Sequence, residues 1–159
     1  ENVGFPLSMF SNKSSLEIKK RVDFCLERVN LSGKNSLLPS ECSGGMQKRI
    51  GIARAISMNP KYLFCDEPNS GLDPKTAILI DGLIQDITKD YDMTTVVITH
   101  DMNSVIEIGE NVIFIHEGKK WWQGDKKSII TTENPEISNF VYASEFMKEI
   151  RQNIQNTRS

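Results

Sequence analysis

The sequence predicts an α/β fold built on a mostly parallel sheet with flanking helices, and three observations carry that prediction. Two short apolar runs, Tyr62-Leu63-Phe64-Cys65 and residues 94–99, each end in charged residues and read as strands. Segments with apolar residues at helical spacing lie before, between and after them, and strand alternating with helix is the pattern of a parallel sheet with crossover helices. Residues 111–123, folded about Glu117-Gly118-Lys119, read as an antiparallel hairpin added at the sheet edge.

Taken in order, Ser14-Ser15-Leu16-Glu17 has the form of a capping box, Ser14 as N-cap and Glu17 three residues on. Ile18, Val22, Cys25, Leu26 and Val29 follow at helical spacing, which predicts an amphipathic helix over 15–30. A polar connector, 34–41, contains Pro39. Ser43-Gly44-Gly45 opens a second helix with Met46, Ile50, Ala53 and Ile56 on one face, and Pro60 closes it. The run 62–65 lacks alternation, so it is expected to be a strand buried on both faces. Asp73-Pro74 is an N-cap followed by proline at the first helical position, with Leu79, Leu83 and Ile87 expected inside. A short helix after His100-Asp101 is expected to end on Gly109 as a left-handed cap. Beyond Asp125 two helix-like stretches are expected, the last over 139–152. Trp121 and Trp122 are adjacent on a strand, so one ring is expected in the core and the other exposed.

Composition narrows the function classes. The 159 residues contain 38% hydrophobic and 25% charged residues, enough to build a core. Nineteen basic against twenty-one acidic residues give a net charge of −2, which removes the electrostatic basis for a dedicated nucleic-acid binder. No apolar run reaches the ~20 residues that span a bilayer, and no signal-peptide pattern is present. Cys25, Cys42 and Cys65 are odd in number and lack metal-ligand spacing, as expected of reduced thiols in a cytosol. Residue 1 is Glu, so the natural start of translation is not in view.

Four short elements carry chemistry. Asp66-Glu67 at the carboxyl end of a strand sits where α/β folds place ligands. Asp66 there can hold Mg2+, and Glu67 can orient or deprotonate a water attacking a γ-phosphate. An isolated Asp-Glu is, however, more often a solvated loop. Ser43-Gly44-Gly45 at a helix start lets backbone N–H groups approach phosphate oxygens, while a plain N-cap flanked by glycines explains the same letters. Asp73 serves its helix as a cap in any case, and a lone His100 after a strand is more often structural.

In combination these elements are specific. The order Ser43-Gly44-Gly45, then an apolar run into Asp66-Glu67-Pro68, then Ser70-Gly71-Leu72-Asp73-Pro74, then a strand ending in His100-Asp101, resembles the second half of an ABC-family nucleotide-binding domain. The spacing matches too, and the resemblance covers nearly the whole chain. It implies a P-loop NTPase-like fold with a helical subdomain and signature helix over 1–60, a segment bearing the Walker B acids, D-loop and switch histidine over 61–124, and a helical tail over 125–159. It also implies that Ser43, Gly44, Gly45 and Met46 contact the γ-phosphate of ATP held by a second nucleotide-binding subunit in a homodimer. Asp66 matches the magnesium residue, Glu67 the catalytic base, Asp73 the D-loop residue and His100 the switch histidine. The implied protein is a Mg2+-dependent ATPase bound to an integral membrane permease, cytoplasmic and peripheral at the inner face of a bacterial membrane. The helix of residues 14–29 would turn toward the permease. Cys42 stands where leucine is common in the family, and Met46 where glutamine is common; neither change removes a catalytic role. Glu1-Asn2-Val3-Gly4-Phe5-Pro6-Leu7, Pro39-Ser40-Glu41, Ser43-Gly44-Gly45-Met46 and Asn139-Phe140-Val141 resemble the Mla-type subgroup, which moves phospholipids.

The family's phosphate-gripping loop, G-x-x-x-x-G-K-S/T, does not occur in the 159 residues. The expectation is therefore an incomplete domain lacking the Walker A half. Alone it would bind ATP weakly and would expose a sheet edge and apolar surface. Two other readings stay open: a soluble ABC-type ATPase that does not transport, and a non-catalytic half-domain that binds a partner.

Overall fold

The computed structural model describes residues 1–143. The chain forms two compact units, Glu1–His100 and Asp101–Ser159. In the first, the order is α1 (Phe5–Phe10), α2 (Ser15–Arg28), a 3-10 turn (Pro39–Glu41), α3 (Gly44–Ala55), a second 3-10 turn (Ile56–Met58), β1 (Tyr62–Asp66), α4 (Pro74–Asp90) and β2 (Thr94–Ile98). In the second, α5 (Met102–Ile108) precedes the hairpin β3 (Val112–His116) and β4 (Lys119–Gly124), followed by α6 (Lys126–Thr131) and α7 (Pro135–Val141).

The expected capping box starts α2: the Ser14 N–H donates to Glu17 Oε2 at 2.7 Å, and the Glu17 N–H donates to Ser14 Oγ at 3.4 Å. The Ser14 hydroxyl, which donates to Glu17 Oε2 at 2.6 Å, and after it the Ser14 N–H hold the Glu17 carboxyl below the usual carboxylate range. Helix α1, for which the sequence offered no periodicity, begins where Gly4 passes close over α2. A Cβ at Gly4 would lie 3.1 Å from Val22 Cγ2 and 3.2 Å from Ile18 Cγ2.

Two arginines tie α2 to α3. Arg21 of α2 donates from Nε to the Ser57 carbonyl at 2.9 Å and from Nη2 to the Ile56 carbonyl at 2.8 Å, and it also bonds the Asn59 side chain. Arg49 of α3 donates from Nη1 to the Val29 and Asn30 carbonyls at 3.3 and 3.2 Å. Each guanidinium thus donates to carbonyls at the end of the other helix, where the dipole is negative, and the two helices run antiparallel. Arg21 also lies over the Phe24 ring at 5.0 Å. Arg21→Ala is expected to cost about 2 kcal/mol, since two buried-side carbonyls lose a charged donor. Urea unfolding checks this, and a loss of only a few tenths would show the clasp to be idle.

Helix α3 buries Gly45, Ile52 and Ala53, continued by Ile56; Met46 and Ile50 are half-buried. The inner face is therefore rotated from the expected set of Met46, Ile50, Ala53 and Ile56, because Gly45 rather than Met46 meets a neighbouring helix. The same correction applies to α4. Ile80, Leu83, Ile84 and Ile87 form its buried stripe, whereas Leu79, expected inside, is 62% exposed, about 100° around the helix from Ile80.

Strands β1 and β2 pair in parallel, Tyr62 opposite Thr94 through Asp66 opposite Ile98. The expectation that β1 is buried on both faces fails. Leu63 and Cys65 are buried, but Phe64, on the opposite face, is 70% exposed, with Tyr62, Val96 and Ile98 also open. An unbroken apolar run records that both faces carry apolar side chains, and among the described residues only one face is covered. Burial pushes the Cys65 thiol up to about 11, which leaves it uncharged at neutral pH.

In the second unit β3 and β4 form their own antiparallel two-stranded sheet. The two loop residues Glu117 (φ 49°) and Gly118 (φ 72°) are both left-handed, the conformation that matches the strand twist in a two-residue hairpin. Trp122 packs on a core of Ile129, Ile137, Val141 and Tyr142, while Trp121 is 44% exposed and meets His116 edge to face. The tryptophans thus divide as alternation requires. Gly109 is not a left-handed cap: its φ is −69° and ψ 125°. A Cβ there would lie 2.4 Å from the Val105 carbonyl oxygen, so close approach is what requires glycine. Helix α7 ends at Val141 with Tyr142 as its cap, so the helix expected over 139–152 does not run on through Tyr142 and Ala143; its remainder, 144–152, lies outside the described residues.

Candidate functional site

The sequence-selected residues fall into three places within the first unit. Ser43, Gly44, Gly45 and Asp73 line one groove of about 340 Å3, with Arg49, Gly71 and Thr76 among its other walls. Glu67 and His100 form a pair at the ends of β1 and β2. Asp66 lies on a shallower depression of about 150 Å3 shared with Lys48 and Cys65. Neither Glu67 nor His100 lines the larger groove.

The groove is made by two helix starts. Ser43 caps α3 by accepting from the Met46 N–H at 3.3 Å, which is where Met46 enters the arrangement; its own side chain does not line the groove. Asp73 caps α4, accepting from the Thr76 N–H at 3.0 Å and from Thr76 Oγ1 at 2.5 Å. The Thr76 hydroxyl, more than the backbone, draws the Asp73 carboxyl below its usual range. Gly45 is the closest approach of α3 to α4, for a Cβ there would lie 2.7 Å from Thr76 Cγ2. Gly71, with φ 77°, makes the turn that delivers Leu72 and Asp73 to the groove.

The Glu67–His100 pair depends on the parallel strands. Glu67 is a non-glycine residue in the left-handed region (φ 45°), a conformation that costs about 1 kcal/mol and turns the chain sharply out of β1. Its N–H donates to the Ile98 carbonyl at 2.9 Å, which carries the strand pairing one residue past β1. The carboxylate then accepts from the His100 backbone N–H at 3.2 Å and lies 2.7 Å from His100 Nδ1. A carboxylate has no proton to give, so Nδ1 is the donor in this contact. The side chain of Glu67 is 33% exposed and that of His100 is 75% exposed, so the pair faces solvent. Asp66, one residue earlier, points outward as an exposed carboxylate.

Sequence reasoning passed over Lys48, Arg49 and Arg21. Lys48 Nζ donates to the Glu67 carbonyl at 2.8 Å. Basic residues on a helix ordinarily read as solvated. Only the distant carbonyls they reach reveal their work, and those partners leave no local pattern.

Among the described residues no three His, Cys, Asp or Glu side chains are grouped as a metal cage. A single exposed carboxylate such as Asp66 suits Mg2+, which takes its remaining ligands from phosphate and water. No helix among the described residues is long and apolar enough to cross a membrane.

Residues 2–70 match the family described as ABC transporter. In structure, the chain is similar to a dimeric ATP-binding cassette, MJ0796, in a post-hydrolysis state bound to ADP and Pi, with a TM-score of 0.68 and 32% identity over 78% of this chain and 54% of that one. The fold is that of the ABC ATPase cassettes, and residues 2–70 carry sequence that matches the ABC transporter family. Its relatives include a methionine import ATP-binding protein MetN of Desulfitobacterium hafniense (strain Y51), 38% identical over 97% of this chain and 45% of the relative. Another is the MetN of Geobacillus kaustophilus (strain HTA426), 43% identical over 79% of this chain and 36% of the relative. The chain spans less than half the length of these relatives. They are named for methionine import, not phospholipid movement, which corrects the resemblance to the Mla-type subgroup drawn from 1–7, 39–41, 43–46 and 139–141.

Proposed function

We propose that the protein acts as the ATP-binding and ATP-hydrolysing subunit of an ABC importer for methionine or a similar small amino acid. The observation that carries the catalytic part is the Glu67–His100 pair, a carboxylate held by a backbone N–H and an imidazole at the ends of two parallel strands. The cargo class rests on the methionine-import names of the relatives.

In this reading Glu67 accepts the proton of the attacking water, or orients it, while His100, as the switch histidine, fixes the carboxylate through Nδ1–H. Asp66 is the residue that would hold Mg2+, which when bound neutralises charge on the β- and γ-phosphates. Ser43 and the N–H groups at the start of α3 approach the γ-phosphate of nucleotide carried by a second copy, with Asp73 beside them in the same groove. The separation of that groove from the Glu67–His100 pair within one chain supports a divided site, completed by two copies. Exposed apolar side chains at Phe5, Met9, Phe10, Leu16 and Leu38 give the helical segment a surface suited to a membrane permease.

Uptake of labelled methionine tests the cargo. Cells deleted for the gene are expected to lose high-affinity uptake and to regain it on complementation. Unchanged uptake with defective phospholipid movement would return the assignment to lipid transport. Unchanged uptake without a lipid defect would favour a soluble, non-transporting ATPase.

A further inference from the structure

We propose that Lys48 is a positioning residue for Glu67, coupling the helix that carries Ser43, Gly44 and Gly45 to the hydrolytic carboxylate of the same chain. The inference rests on the catalytic reading above.

Lys48 stands on the second turn of α3, directly after the turn that begins with Gly44 and Gly45. Its ammonium donates to the Glu67 carbonyl at 2.8 Å in a partly buried setting. The Ser70 N–H, within the turn that follows, also donates to that carbonyl, at 3.3 Å. The Glu67 peptide is left-handed and therefore strained, so its orientation persists only while neighbours hold it. On the amino side the Ile98 carbonyl of β2 does so, and on the carbonyl side the strong, charge-assisted contact is Lys48.

Carbonyl and carboxylate of Glu67 belong to one residue. If the carbonyl is displaced and the strained φ takes up part of the movement, Cβ turns with it and the carboxylate leaves its position 2.7 Å from His100 Nδ1. Because α3 is a continuous helix, a shift of its first turn also moves Lys48. The geometry thus gives occupation of the groove at Ser43–Gly45 a direct mechanical route to Glu67. A hydrogen-bonding clasp that served folding alone would have no reason to end on the one strained peptide of the Glu67–His100 pair.

The test uses the full-length protein assembled with its permease, comparing Lys48→Met, Lys48→Arg and Glu67→Gln in Mg-ATP hydrolysis. Lys48→Met is expected to lower kcat about tenfold, the scale of a mispositioned catalytic group, while KM for ATP stays within about twofold. Lys48→Arg, which keeps a charged donor of similar reach, is expected to recover most of kcat. If Glu67→Gln is inactive and Lys48→Met turns over at the wild-type rate, or changes KM alone, the coupling is overturned and the catalytic reading stands. If Glu67→Gln itself hydrolyses normally, the catalytic reading falls. Should Lys48→Met fail to fold, Lys48→Gln, with a neutral and shorter donor, is expected to show an intermediate kcat, and a wild-type kcat there overturns the coupling equally.

Discussion

Glu67→Gln is expected to lower ATP turnover of the full-length protein by about 100-fold or more, the contribution of a positioned general base, with ATP binding retained. The substitution is nearly isosteric. It keeps a side-chain oxygen that can accept from the His100 N–H and from Nδ1–H, the two groups 3.2 and 2.7 Å away. It introduces no new backbone demand at a position already held left-handed. What it removes is negative charge and the capacity to take up a proton. A loss confined to kcat, with KM for ATP nearly constant, is the signature of an interaction made in the transition state. Wild-type turnover would show that Glu67 is only a bend after a strand and would return the site to the non-catalytic reading. His100→Ala probes the same pair from the other side. It leaves the carboxylate intact but unsteadied on its ring side, so a smaller fall in kcat is expected than for Glu67→Gln.

The parts of this molecule that were legible in the sequence are those set by local chemistry. Ser14 with Glu17, and Asp73 with Pro74, announce helix starts because capping needs particular side chains at fixed offsets. Asp66-Glu67 and His100 could be placed because β1 and β2 are bounded by charged residues, and a parallel pair brings their ends together. The errors have a common cause. Leu79 was expected inside, Met46 on the inner face of α3, and Phe64 buried, because periodicity gives the apolar side chains but not which neighbours arrive to cover them. Gly109 was read as a left-handed cap from its identity. Its requirement is instead the nearby Val105 carbonyl, a contact invisible without the fold. The polar clasps of Arg21, Arg49 and Lys48 escaped for the same reason. Each spans 19 or more positions in sequence. The subgroup resemblance rested on the short segments 1–7, 39–41, 43–46 and 139–141, whereas relatives matched along most of the chain are named for methionine import.

Gly45→Ala carries the second large expectation, a loss of about 2 kcal/mol in stability, the scale of overpacking a tight contact. The sign is the informative part. Within a helix, replacing glycine by alanine ordinarily stabilises by up to about 1 kcal/mol, and Gly45 is helical, so a position free of contacts would gain. Here the added Cβ would lie 2.7 Å from Thr76 Cγ2. Thr76 cannot simply rotate away: its Oγ1 donates to Asp73 at 2.5 Å and its N–H to the same carboxylate at 3.0 Å. Turning the methyl aside breaks the hydroxyl bond and loosens the start of α4, so the remaining escape is to push α3 from α4. That widens the groove holding Ser43 and Asp73, and turnover is expected to fall with stability. Thr76→Ser removes the opposing methyl while keeping the hydroxyl, so Gly45→Ala combined with Thr76→Ser is expected to recover most of the loss. Such non-additivity marks residues in direct contact. The cap also sets a pH dependence. The Asp73 carboxyl is held below its usual range, so its contribution is present above the ordinary aspartate value and is lost as pH falls through the lowered one. Thr76→Val, which removes the hydroxyl that donates to Asp73, should reduce that acid-side change in unfolding midpoint. A stabilised Gly45→Ala with unchanged turnover would show that α3 and α4 are free to separate, and that the groove does not depend on their contact.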